Sequence, residues 1–322
     1  MSISPFRLCV LFLLLIGFVL PVSNSFAQTD VTDEMQKEEL VTRAPRETDG
    51  TLAWKLKEGL SLKFMSDQTT STEMEVGGQP MNTTTKALNE LSLKITSIDD
   101  EGVASAINTI DRMLVSSKAP MLSFEFDSNK EDTGDGDGLE AQIAEMLRPM
   151  VGQPITQKMR TDGRIFDVKI PEELFKGMKA NPLVAAMFSE KNLQDMVSKG
   201  SLVFPEPNLD VGHSWTASNA MDMGLMKINA STTYTYKGVA DVDGKPLHVT
   251  VGNLTMEFPE GGGPEAEIDS QDSTITFYFD GVAGHMVKME LDQKMNMLIQ
   301  AAGQEISQKL TQSLIVTVSA DK

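Results

Sequence analysis

The chain has 322 residues and a formal charge of −18, from 46 acidic against 28 basic side chains. A field of that sign makes nucleic acid and anionic membrane surfaces poor partners, and no nucleic-acid partner is expected. The single cysteine, Cys9, falls within an apolar run near the start, which leaves the remainder without disulfides, zinc thiolates or a cysteine nucleophile.

That run, Leu8 to Leu20, follows Arg7 and is broken by Pro21, with the small-residue pattern Ser25-Phe26-Ala27 behind it. Residues 1–27 therefore read as a secretory signal peptide cut after Ala27, and the protein as exported, periplasmic or extracellular. No later stretch approaches the length of a membrane span, so no transmembrane segment is expected after signal cleavage. Residues 28–51 hold no aromatic residue and are dominated by Thr, Asp, Glu, Lys and Arg. They cannot bury enough apolar surface to fold and read as a disordered leader.

From Trp54 onward the dominant signal is alternation with period two, the mark of strands with one buried face. It runs through Leu60-Leu62-Phe64, Leu91-Leu93-Ile95, Phe166-Val168-Ile170, Tyr234-Tyr236, Leu247-Val249-Val251, Ile275-Phe277-Phe279 and Leu310 to Val318. Asp99 to Gly102, Asp162-Gly163, Asp243-Gly244 and Asp280-Gly281 supply tight turns between them. Two stretches break the period. Leu139, Ile143, Met146, Leu147 and Met150 form one face of a helix, and a second helical stretch covers 172–199, divided at Pro182.

The order of features repeats: a tryptophan (Trp54, Trp215), a hairpin, an Asn-x-x segment (Asn108, Asn253) and a later Asp-Gly turn. The expected class is α+β, mainly antiparallel β, with two similar curved sheets or half-barrels and intervening helices. The first β-rich half covers 52–200, with helices near 139–150 and 172–199, and the second covers 201–322.

The segment Phe204-Pro205-Glu206-Pro207-Asn208-Leu209-Asp210-Val211-Gly212-His213-Ser214-Trp215 is distinctive. With Trp54-Lys55-Leu56-Lys57-Glu58-Gly59 and Asp162-Gly163-Arg164-Ile165 it resembles a family of exported bacterial proteins, frequent in planctomycetes and catalogued as a domain of unknown function. The resemblance implies secretion and the two-half β architecture, and brings no catalytic residue or cofactor with it. In this reading Trp215 plugs the core of the second half.

Sites with chemistry are few. His213, His248 and His285 lack the short spacing of metal ligands and read as turn or strand-end residues. In the acidic loop Asp127 to Glu140, the residues Asn129, Glu131, Thr133, Gly134 and Glu140 approximate the register of a calcium loop. The match departs from the pattern at Asn129 and Glu131, and no helix precedes it; the alternative is a solvated loop. Serine nucleophiles lack the Gly-x-Ser-x-Gly elbow. The 21 methionines fit an adaptable core, a lipophilic groove or a loose copper site. These features favour a non-enzymatic envelope protein that binds an apolar ligand or a protein partner in the concavity of a curved sheet. The alternatives are a hydrolase with an acidic cleft between the halves and a purely structural envelope protein.

Overall fold

A computed structural model describes residues 40–76, 79–120, 122–130, 139–175, 189–222, 227–259, 266–301 and 304–321. Its strands are β1 (Ser61–Val76), β2 (Gln79–Ile98), β3 (Ala104–Ala119), β4 (Leu122–Asp127), β5 (Ile155–Met159), β6 (Ile165–Lys169), β7 (Ser214–Asp222), β8 (Lys227–Val242), β9 (Lys245–Glu257), β10 (Ala266–Asp280), β11 (His285–Ala301) and β12 (Gln304–Ala320). Among the described residues, two α-helices, α1 (Leu139–Leu147) and α2 (Glu190–Lys199), lie between β4 and β7 with short 3-10 turns at Arg148–Met150 and Glu172–Phe175. Helix α1 buries Ile143 and Leu147, two of the residues its spacing predicts. The N-terminus of α2 is capped by Ser189, whose side chain accepts from the Asn192 amide. Pro182 and the middle of the stretch 172–199 lie outside the described residues, as do residues 1–39.

The strands are antiparallel, as expected, but they form one sheet rather than two. Its order is β6-β5-β3-β2-β1-β12-β11-β10-β9-β8-β7, with β4 branching from β3. The two expected halves meet where β1 pairs with β12, from Leu62↔Ala320 to Glu75↔Ser307. Local turns specify which neighbours in sequence pair; this junction joins opposite ends of the chain and leaves no local signal.

The sheet is strongly curled. Ile165 on β6 and Phe277 and Phe279 on β10 line one small cavity, although seven interstrand steps separate those strands in the order. On a flat sheet, steps of about 4.8 Å would set them about 34 Å apart. The ladder stays open at its outer strands, β6 and β7, and α2 packs against both.

The segment 40–51, expected as leader, instead closes one end of this curl. Arg43 bridges to Val239 of β8 and the Asp49 carbonyl meets His248; just beyond the segment, Leu52, Trp54 and Lys55 donate backbone hydrogen bonds to Pro207, Thr161 and Gly284. Composition misleads here because the segment is held by backbone bonds and one ion pair rather than by buried apolar surface.

The concave face is layered. Toward the closed end it is apolar, with Leu62, Phe64, Leu93, Leu314, Val316, Phe277 and Met289 in one cluster. Beyond this lies a row of directly paired, buried polar residues, Ser117, Thr85, Thr70, Gln312, Gln293 and Ser273, one from each of six adjacent strands. Thr85 donates to Ser117 at 3.2 Å. A smaller apolar cluster of Met74, Ile299 and Ile306 follows at the far end.

Candidate functional site

Besides the polar row, two places in the described interior set polar groups among apolar ones. The first is a buried relay at the closed end. Arg43 donates twice to the Asp49 carboxylate, at 2.6 and 2.8 Å, and the Arg46 amide donates to it at 2.7 Å. The Asp49 carbonyl lies 3.2 Å from His248 Nε2, and His248 Nδ1 lies 2.7 Å from the Tyr236 hydroxyl. A carbonyl can only accept, so Nε2 carries a proton; burial disfavours the charged ring, and in the neutral form Nδ1 accepts from the Tyr236 hydroxyl. His248 is 3% exposed and sits mid-strand on β9 rather than at a strand end. Sequence reasoning missed it because Leu247 and Val249 were the apolar positions; β9 is buried on both faces, with Leu247 and Val249 packing on Tyr278 on the other side.

The relay makes stability depend on acid. Burial holds His248 below the ordinary histidine range, so its contribution is whole above about 6.5, the unfolded value, and declines as pH falls toward the folded one. The hydrogen bond from Arg43 lowers Asp49 to about 2, which adds a second loss as pH falls from 3.8 through that value. With Arg43 partly exposed, this second loss is roughly 1–2 kcal/mol. Urea midpoints of the native chain should fall between pH 7 and 5, and His248→Phe should flatten that limb; an unchanged slope in the variant would remove His248 as its source.

The second place is a cavity of about 150 Å³ between the concave face and the helices. Its walls come from four parts of the fold. Leu91 and Leu93 on β2, Asn108 and Ile110 on β3, and Ile155, Gln157 and Met159 on β5 form one side. Phe277, Phe279, Met286 and Met289 on β10 and β11 form the other. Leu193, Met196 and Val197 of α2 cover it, and Trp54 and Phe204 stand at the closed end. Phe279 packs edge-on against both of these, with ring centroids 5.8 Å from Trp54 and 5.2 Å from Phe204. Five of the lining residues are methionines, and among the described residues none of the lining side chains is charged.

The expected site residues are not brought together there. Asn129 is exposed in the turn after β4, where its amide donates to Asp127 at 3.1 Å. Asp127 is itself buried and paired with Arg112. Glu131 and Thr133 lie outside the described residues, as does the side chain of Glu140 at the start of α1. Among the described residues no group of three or more His, Asp or Glu side chains is placed to hold a metal. An acidic cleft would need carboxylates converging from both halves; the described lining contains none, and Asp49, Asp127 and Asp195 each meet a cation elsewhere. Trp215, expected as a core plug, is half-buried on the outermost strand β7 and packs against the main apolar cluster, its ring 5.4 Å from Tyr234. Trp54, by contrast, lines the cavity.

Asn108 and Gln157 were not expected as site residues. Gln157 stands at an inward position between Ile155 and Met159, a polar interruption of an apolar alternation that was readable in the sequence.

Among the described residues no helix is long and apolar enough to cross a membrane. No curated protein matches the chain. It is similar to the solved structure of lipovitellin, described for its lipid–protein interactions, at 10% identity and a TM-score of 0.44, covering 83% of this chain and 26% of that one. The chain thus spans about a quarter of the lipovitellin chain. It is also similar to an outer membrane channel from Pseudomonas putida F1, at 10% identity and a TM-score of 0.23 over 83% of this chain and 97% of that one. A third similarity is to DynF from the dynemicin biosynthesis pathway of Micromonospora chersina, at 9% identity and a TM-score of 0.20 over 93% and 95%. Residues 101–245 match the model of a family of unknown function (DUF6263), a span that includes Asp162-Gly163 and Phe204 to Trp215 and stops short of Trp54.

Proposed function

We propose that this is an exported binding protein for a small apolar ligand, held between the concave face of the sheet and α2. The observation that carries the reading is the lining of the cavity, uncharged among the described residues and rich in Leu, Ile, Phe and Met. A cavity of about this size admits a molecule of benzene size. The five methionines suit a pocket that must adapt its shape, because an unbranched thioether repacks at little cost. The signal-like segment 1–27 supports an activity outside the cytoplasm.

The open ladder between β6 and β7 supplies a route in. Helix α2 covers that gap with one buried leucine, Leu193, and two partly buried residues, Met196 and Val197. A ligand that enters by lifting α2 breaks side-chain packing and no sheet hydrogen bond.

The test is thermal unfolding of the exported chain with toluene or benzyl alcohol. A ligand at about ten times its Kd should raise Tm by about 2–4 °C. The rise should saturate and should vanish in Ile165→Trp, where a larger side chain occupies the cavity. No saturable rise with either compound would overturn the reading.

A further inference from the structure

We infer that the ligand carries a neutral hydrogen-bonding group, such as a hydroxyl or a primary amide, on its apolar body, and that Asn108 and Gln157 receive that group. The inference rests on the cavity being a binding site. Gln157 is 4% exposed, yet its Oε1 has no hydrogen-bond partner, and the same holds for the buried Oδ1 of the half-buried Asn108. Both residues line the cavity. They are neighbours across the β3–β5 ladder: Gln157 stands opposite Ala106, and Asn108 opposite Ile155, so the two amides project from one face one inward step apart.

Buried polar atoms are nearly always paired, and two unpaired ones at one corner of an otherwise apolar cavity mark a place where a polar group belongs. The wall across from them is made of Phe277, Phe279, Met286 and Met289, which suits a purely apolar body. A molecule spanning the cavity therefore meets amides at one end and rings and thioethers at the other. Charge is excluded by the same lining: with no cationic or anionic side chain among the described lining residues, a carboxylate or ammonium would be buried unpaired, and it would stay in water instead.

The ranking of three ring-sized probes tests this: toluene, benzyl alcohol and benzoate, each titrated against the exported chain and read by the rise in Tm and by calorimetry. A bare apolar pocket would prefer toluene over benzyl alcohol by roughly tenfold or more, because the hydroxyl forfeits its hydration. With the two amides in place, benzyl alcohol should bind at least as tightly as toluene, and benzoate should not bind. In Asn108→Leu/Gln157→Leu the order should reverse by about tenfold in favour of toluene. Toluene ahead of benzyl alcohol in the native chain, or benzoate binding as well as the alcohol, would overturn the inference and leave the cavity reading standing. No binding by any of the three would overturn both. If the double variant loses its thermal transition, the native ranking decides alone.

Discussion

Phe279→Ala should cost about 3–5 kcal/mol of folding stability, the largest single loss expected in this protein. The ring is 2% exposed and makes edge-on contacts with Trp54 and Phe204, which belong to the two chain segments that close the end of the curl. Truncation therefore removes the transfer term of a whole benzyl group, two aromatic contacts of about 0.5–1.5 kcal/mol each before overlap, and adds void to an existing cavity. The surroundings cannot collapse to fill it, because β10 is held by ladders on both sides. Urea unfolding followed by circular dichroism measures the loss, and Trp54 emission should shift to the red in the folded variant. A cost below about 1.5 kcal/mol would mean that the closed end is packed more loosely than these contacts state.

Gly50→Ala should be the next largest, at about 2–4 kcal/mol. Gly50 has φ +79°, and a Cβ there would lie inside contact distance of the Gly281 backbone carbonyl. Gly59 provides the control: its φ is +81°, and a Cβ there would meet nothing within 4 Å. Gly59→Ala should then show only the left-handed backbone cost of about 1 kcal/mol, and the difference between the two variants isolates the close approach of the closing segment to the turn before β11. Equal costs would show that the segment yields without loss. Because Gly50 follows Asp49, the variant should also weaken the acid-sensitive relay to His248.

Most strands were legible from their alternation, yet their lengths were not. The pattern Leu62-Phe64 marks the start of β1, whose next inward residues are Ser66, Gln68, Thr70 and Thr72, all buried. A hydrophobic alternation stops at Phe64, while the strand runs on to Val76. Polar residues can hold buried strand positions when backbone ladders lie on both sides and neighbouring hydroxyls and amides pair, as Gln68 does with Thr70 at 3.2 Å. The same effect hid His248. Of the candidate site, the helical stretch that carries Leu193, Met196 and Val197 was legible, while the methionines were left open between core, groove and copper site; five of them line the cavity. The opposing wall was not visible, since its convergence depends on the curl of the whole sheet.

The pairing of β1 with β12 bears on how the chain reaches this structure. A polypeptide that emerges from its amino end presents β1 early, with β2 on one side and an unpaired edge from Leu62 to Glu75 on the other. That edge waits for β12 to be delivered, a contact between residues about 230 to 260 positions apart, and contacts of that kind are what slow folding. Long unpaired edges are where chains join wrongly. In β1 the waiting edge carries serine, glutamine and threonine at its inward positions beyond Phe64. Such a strand offers little apolar surface to a wrong partner, so the polar row that interrupts the finished interior also protects the unfinished one.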